Sequence, residues 1–356
     1  AIRSDGVAEV EPLAARHVPW DAEMRSLMRA AETAAARLEG RADRPGVLAA
    51  AERALTEAHV EALASFLAET GVRPEIVGFH GQTVLHAPAR RLTVQLGDGQ
   101  ALADALGVPV AWDMRAADVA AGGQGAPLVP AYHAALAARL GSRPAVFVNI
   151  GGIANVTWVG ADGALLAFDC GPGNAPIDDW MRRHGGHAHD AGGATAARGR
   201  VRPEIVEAAL AHDFFRRAPP KSLDRAAIAG FVTGLADGLE TADGAATLTM
   251  ITARGIAAAA QWFPSPAAVW VVCGGGRHNR TLMAFLRESV PSGEVLTAEE
   301  AGFDGDMIEA QCWAHLAVRA LRGLPLSWPE TTGVPRPLPG GVISRPGGTD
   351  VREEGR

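Results

Sequence analysis

Lysine is almost absent from this chain. Lys221 is the only one in 356 residues, so nearly all of the positive charge is arginine. Lys221 follows Pro219-Pro220 rather than a glycine-rich loop, and no G-x-x-x-x-G-K-[ST] phosphate loop exists. Cysteine is scarce too: Cys170, Cys273 and Cys312 lie too far apart for a disulfide framework or a zinc-ligand pattern. No uninterrupted apolar run reaches the ~18 residues of a spanning helix. The opening Ala1-Ile-Arg-Ser-Asp-Gly6 has no signal-peptide core. A reducing, cytoplasmic location with no membrane partner is the expectation. A net charge of −7 disfavours nonspecific binding to nucleic acid or anionic lipid.

What is present is enough for real cores. Hydrophobic residues make up 48% of the chain, and the length predicts two domains at ~150 residues each. After a weak strand pattern near the start, helices are predicted over 21–37 and 46–69, where apolar residues recur at three- and four-residue spacing. Strands are predicted at 76–79, 92–96 and 108–112, with a helix at 98–106. A glycine-rich loop, residues 120–130, then leads to a helix over 131–140, and the domain boundary is placed at 130. The second half opens with strands at 145–150, 154–159 and 164–168. Helices are predicted near 174–183, 203–212, 224–239, 243–262, 277–289 and 304–322, with one more strand at 268–273. The segment after Gly323 is rich in proline and glycine and reads as irregular, the second domain ends at 341, and 342–356 is a polar tail whose last ten residues read as disordered.

The class is therefore α/β, with strands that end at polar or glycine turns and are followed by helices. Ligands of open α/β sheets collect at such strand ends. His80-Gly-Gln-Thr83, Asp113-Met-Arg115, Gly151-Gly152, Asp169 and Gly274-Gly275-Gly276 all occupy them. Gly151-Gly152 is either a hairpin turn or an anion-binding nest of backbone amides. Asp169 can take a proton from water or a hydroxyl, or it serves as an Asx turn for residues 171–174. The three glycines at 274–276 allow backbone to lie against a ring or ribose, with the next helix aiming amides at a phosphate; otherwise they form a tight turn. Arg115 offers a bidentate guanidinium to a carboxylate or sugar oxygen, or pairs structurally with Asp113 and Asp118. Glu309, in the first turn of a helix, suits the helix dipole. His184, His187, His189 and Asp190 lack a zinc spacing and read as a solvated loop, so no protein metal site is assigned.

Taken together these motifs resemble the anhydro-N-acetylmuramic acid kinases of the actin-like, hexokinase-like ATPase superfamily. The matching stretches are Gly78-Phe-His-Gly-Gln-Thr83, Thr93-Val-Gln-Leu-Gly97, Gly122-Gly-Gln-Gly-Ala-Pro-Leu-Val-Pro130 and Val148-Asn-Ile-Gly-Gly-Ile-Ala-Asn155. They continue in order with Phe168-Asp-Cys-Gly-Pro-Gly-Asn174, Pro219-Pro-Lys-Ser222, Cys273-Gly-Gly-Gly-Arg-His-Asn279 and Thr331-Thr-Gly-Val-Pro335. The resemblance implies a two-domain actin-like (ribonuclease H-like) fold with an interdomain active-site cleft. It also implies ATP and Mg²⁺ as cofactors, a small amino sugar as substrate and a homodimer. The reaction implied opens the 1,6-anhydro bridge of the sugar with water and phosphorylates O6, in cell-wall recycling. On this resemblance Asp169 is the base, and Gly151, Gly152, Gly274, Gly275, Gly276 and Asn279 bind ATP. Thr83, Arg115 and Glu309 contact the sugar.

One departure accompanies the match. The family's first strand and its Ser-Gly-Thr-Ser-x-Asp-Gly phosphate turn do not occur in the sequence, whose opening looks like the segment just after them. The expectation is a chain lacking half of its phosphate clamp, with little kinase activity on its own. The alternatives kept open are a truncated, non-catalytic sugar-binding paralogue and a kinase for another sugar.

Overall fold

The computed structural model describes residues 1–223 and 225–348. The chain forms two compact units, one from Ala1–Leu136 together with the segment from Glu309 onward, the other from Ala137–Ile308. The chain first leaves unit one within the helix Pro130–Arg139, just after the expected boundary at 130. It returns at the start of the helix Ile308–Leu321. A linear division cannot provide that return, because the segment from 309 to 341 belongs with the first unit. Among the described residues no helix is long and apolar enough to cross a membrane.

The first unit begins with a hairpin, β1 (Ile2–Ser4) and β2 (Val10–Pro12), where the sequence suggested a strand only after the Ser-Asp-Gly turn. Asp5 Oδ1 makes the turn by accepting from the amides of Val7, Ala8 and Glu9 at 2.8–2.9 Å. The helices Ala22–Ala35 and Val47–Thr70 match the expected spans; Asp21 caps the first, and Gly71 in the left-handed region ends the second. β3 (Val77–Gly78) runs parallel to β6 (Val110–Trp112). β4 (Gln82–Ala87) pairs antiparallel with β5 (Leu92–Leu96). Asp98 caps the helix Gly99–Leu106 through the amides of Gln100 and Ala101.

The second unit carries β7 (Ala145–Ile150), β8 (Ile153–Val159), β9 (Leu165–Pro172), β10 (Val269–Cys273) and β11 (Glu294–Thr297) in the order β11-β10-β7-β8-β9. β7, β8 and β9 are antiparallel neighbours, while β10 and β11 run parallel to β7. An antiparallel three-strand meander extended by two parallel strands is the sheet order expected of a ribonuclease H-like unit. Every residue of β10 is buried, as continuous apolar runs in covered parallel strands must be. Val146, Val148, Trp270 and Val272 pack with Ala253 and Ile256 of the helix Thr241–Ala258 and with Leu282 and Leu286 of Arg280–Ser289. Each such side chain contributes ~1.5–3 kcal/mol on burial, against ~1 kcal/mol for one loop hydrogen bond. The sheet therefore dictates where its connecting turns lie.

The segment after Gly323 is more ordered than its composition suggests. It holds a short helix, Pro329–Thr332, and β12 (Val342–Ser344), which adds antiparallel to β6. Trp112 Nε1 donates to Ser344 Oγ at 3.0 Å, tying this strand to the first unit's sheet. The expected polar tail therefore begins later than 342, and its last residues, 349–356, lie outside the described residues.

Candidate active site

In the second unit, strand register brings one row of polar residues together. Cys273 on β10 lies opposite Asn149 on β7, Asn149 opposite Asn155 on β8, and Asn155 opposite Asp169 on β9. The glycine turns continue from the same end of these strands. Asn174 N donates to Gly151 O at 2.7 Å, and Gly173 N donates to Gly152 O at 3.0 Å. Asn174 Nδ2 donates to Ile150 O at 3.1 Å. A Cβ at Gly274 would lie 2.5 Å from Asn149 Oδ1, and one at Gly276 would lie 2.4 Å from Ile150. Gly151, Gly152, Gly274, Gly275 and Gly276 thus belong to one cluster of mutually packed turns.

The glycines in this cluster do different things. Gly274 has φ +73° and also lacks room for a side chain. Gly173 has no room either, since a Cβ would meet Gly151 O at 2.3 Å. Gly151 and Gly275 are unconstrained, with a Cβ meeting nothing nearer than 3.7 Å and 3.8 Å respectively. Neither has a φ in the left-handed region. Neither close contact nor backbone strain requires glycine at these two positions, where a Cβ would make one ordinary van der Waals contact.

Asp169 sits inside β9, not after its end, because the strand runs on to Pro172. A register shift between Ala154 and Asn155 falls directly opposite it, and such bulges re-aim side chains. Its carboxylate does not serve residues 171–174. Oδ2 instead accepts from Leu223 N at 2.9 Å, and Asp169 N donates to Lys221 O at 3.1 Å. Burial raises its pKa from the ordinary 3.8 to about 6, against the Leu223 amide, which pulls it down. A carboxylate in that range is ionised at neutral pH and still basic enough to take a proton in a transition state.

Asn279 is placed differently from the glycines. Its Oδ1 caps the helix Arg280–Ser289 by accepting from Leu282 N at 2.9 Å, and a turn, Gly275–His278, separates that helix from β10. The helix amides therefore begin farther from the glycines than the sequence suggested. Arg277 ties the turn down by donating to Gly274 O, Glu299 and Asp306 at 2.9, 2.9 and 2.6 Å. The histidine-rich loop is scaffold: His184 stacks on Trp180 at 3.9 Å, and Asp190 accepts from the amides of Thr195 and Ala196.

In the first unit a second polar cluster forms around Arg115. Arg115 is not paired with Asp113 or Asp118 as the sequence allowed. Asp113 pairs with Arg41, while Asp118 accepts from Gly125 N and Thr332 Oγ1. The Arg115 guanidinium donates to Gly125 O at 2.9 Å and to His80 Nε2 at 3.1 Å, and lies 5.1 Å over the Trp313 ring. Arginine only donates, so His80 Nε2 is the acceptor and the ring proton resides on Nδ1. Burial, then the Arg115 charge, lowers the His80 pKa to about 4, which keeps the ring neutral.

Glu309 is exposed at the start of the helix Ile308–Leu321, and its charge bears on Arg115. Its i+3 and i+4 neighbours, Cys312 and Trp313, face the same cluster. Thr83 sits on β4 opposite Gln95, whose Nε2 donates to His80 O at 2.9 Å, so it connects to the cluster through one intervening side chain. Residue type alone does not mark Trp313, although its four-residue offset from Glu309 is a usable signal. Nor does it mark Asn149, Asn155 and Asn174 as individual groups, since their alignment arises only from cross-strand register.

The family model described as anhydro-N-acetylmuramic acid kinase matches residues 5–345. Curated proteins of that name include one from Methylorubrum extorquens, 52% identical over 326 residues, covering 90% of this chain and 85% of that protein. Another from Rhodospirillum rubrum is 56% identical over 292 residues, covering 82% of this chain and 76% of that one. A third from Rhodopseudomonas palustris is 50% identical over 351 residues, covering 97% and 94%. A solved ROK family glucokinase from Streptomyces griseus superposes weakly, with TM-score 0.36 and 17% identity over 73% of this chain and 88% of its own.

Proposed function

The chain belongs to the anhydro-N-acetylmuramic acid kinase family, and from that premise we propose that Asp169 is the catalytic base beside a phosphate-binding cluster of glycine turns. The enzyme is a phosphotransferase that uses ATP and water to convert 1,6-anhydro-N-acetylmuramic acid to N-acetylmuramic acid 6-phosphate. Asp169 takes a proton from a water molecule as the water oxygen attacks the anomeric carbon. The bond from that carbon to O6 breaks and its electron pair goes to O6, O6 attacks the γ-phosphorus, and ADP leaves with the electron pair of the broken β,γ P–O bond. The single observation that carries this role is the raised pKa of a half-buried Asp169 whose Oδ2 is already held by Leu223 N.

Backbone at Gly151, Gly152, Gly274, Gly275 and Gly276 receives the nucleotide, and the absence of any close contact that would require glycine at Gly151 and Gly275 supports this assignment. Asn279 contributes by holding the following helix in place. Arg115, Thr83 and Glu309 recognise the sugar, with the guanidinium fixed by His80, Gly125 and Trp313 before substrate arrives. Among the described residues no three His, Cys, Asp or Glu side chains group into a metal cage. Mg²⁺ is expected to enter with ATP, held largely by phosphate oxygens and water. When bound with ATP, Mg²⁺ offsets phosphate charge. The homodimer and the cytoplasmic location rest on the family alone. Asp169→Asn tests the central claim: turnover should fall by ~10²-fold with sugar affinity little changed. A near-wild-type rate removes Asp169 from the mechanism.

A further inference from the structure

The only lysine in the chain is half-buried and lies outside any phosphate loop. Lys221 Nζ donates to Phe214 O at 3.0 Å. It also lies 4.6 Å from the centroid of the Phe214 ring, 5.6 Å from that of Phe168 and 5.7 Å from that of Trp262. Those rings come from three elements: the helix Asp213–Arg216, strand β9 and the turn Ala259–Trp262. An ammonium facing three aromatic rings is attracted by each ring quadrupole, more strongly where water is partly excluded. The main chain beside it follows the outer edge of β9. Lys221 O accepts from Asp169 N, and two residues later Leu223 N donates to Asp169 Oδ2.

We propose that Lys221 is a positioning residue for Asp169: its caged ammonium pins residues 221–223 along β9, which keeps the Leu223 amide on Oδ2 and leaves Oδ1 for the reacting water. This rests on the reading of Asp169 as base. The effect runs through the backbone and not through charge. The groups that set the Asp169 pKa are its own burial and the Leu223 amide. The charge of Lys221 bears on the buried Cys170 thiol, and Arg217 bears on Lys221. Burial lowers the Lys221 pKa to about 8, so it stays largely protonated at neutral pH. Loss of the Leu223 hydrogen bond would remove an interaction that favours the carboxylate, so the base would titrate higher.

The test is Lys221→Met and Lys221→Arg, with kcat, both KM values and thermal stability followed from pH 5 to 9. For Lys221→Met, kcat at neutral pH should fall about tenfold, and the acid limb of the kcat profile should move up by ~0.5–1 pH unit, the scale of one amide donor to a carboxylate. Both KM values should stay within about twofold. Lys221→Arg keeps a cation for the rings and a donor for Phe214 O, and should recover most of kcat. A Lys221→Met enzyme with a lower Tm but an unmoved acid limb and unchanged kcat overturns the proposal. If Asp169→Asn itself turns over normally, the base reading is what fails. Should Lys221→Met not fold, acetylation of the folded wild-type enzyme carries the test, since it removes the ammonium charge of Lys221. Acetylation at Lys221, located by mass spectrometry, should lower kcat without raising KM. Enzyme fully acetylated at Lys221 with a wild-type kcat and pH profile overturns the proposal.

Discussion

Replacing Asp169 with asparagine should make the protein both slower and more stable. The aspartate binds its proton more tightly folded than unfolded, because its pKa is about 6 in the structure against an ordinary 3.8. Its contribution to stability is therefore most favourable below pH 4, falls as the pH rises to about 6, and is fully unfavourable at pH 7. At ~1.4 kcal/mol per unit the effect reaches at most about 3 kcal/mol. Asparagine keeps an oxygen for the Leu223 amide and carries no charge. Asp169→Asn should then raise the apparent melting temperature at pH 7 by ~5 °C or more, on a scale of ~2–4 °C per kcal/mol for a unit of this size. The two proteins should melt alike at pH 4. Paired thermal melts at pH 4, 5, 6, 7 and 8, with kcat measured on the same samples, read both halves. An Asn variant that gains nothing between pH 4 and 7 would show that burial does not perturb this carboxyl, and the argument for a tuned base would collapse.

Three further outcomes follow. Gly151→Ala should leave stability within ~0.5 kcal/mol of wild type while raising KM for ATP, whereas Gly173→Ala should lower stability by ~1–3 kcal/mol, since its Cβ would meet Gly151 O at 2.3 Å; equal effects on stability would remove the distinction between ligand-facing and scaffold glycines. Arg115→Met should raise KM for the sugar at least ~10-fold with KM for ATP unchanged, and the His80 pKa, read by NMR, should rise from about 4 because a cation beside it is gone. Arg277→Gln should loosen the 274–276 turn, since it loses donors to Gly274 O, Glu299 and Asp306; KM for ATP should rise with little change in KM for sugar, and an effect confined to the sugar would contradict the assignment of that turn.

The parts of the fold legible in the sequence are those whose cause is local. The strands 92–96 and 145–150 match their expected bounds because apolar runs and flanking turn residues mark both ends. The long helices match because Asp21, Asp98 and Gly71 punctuate them. The strands at 82–87, 294–297 and 342–344 were not legible. Two of them are only four and three residues long, too short for a period to register, and the third follows a glycine turn that reads as an end. All three exist through their pairing partners. The same division runs through the site. Asp169 and the glycines announce themselves by residue type and spacing. The groups that set the chemistry of Asp169, Lys221 and Leu223, stand more than fifty residues away, and only the edge of β9 brings them there.

The glycines supply a criterion that residue type alone cannot. A glycine held by positive φ or by a close backbone contact is explained by the fold and says nothing about a ligand. Gly173 and Gly274 are of that kind. A glycine with neither a left-handed φ nor a close contact is not explained by the fold; the exposed Gly141, Gly230 and Gly234 share that freedom, so it is informative only where such glycines gather at strand-end turns. Gly151 and Gly275 are of this second kind, and they lie on two different turns that pack together around Ile150 and Asn174. Two such glycines on adjoining turns, on the same sheet as the half-buried Asp169, support the proposal that this face of the second unit takes the phosphate.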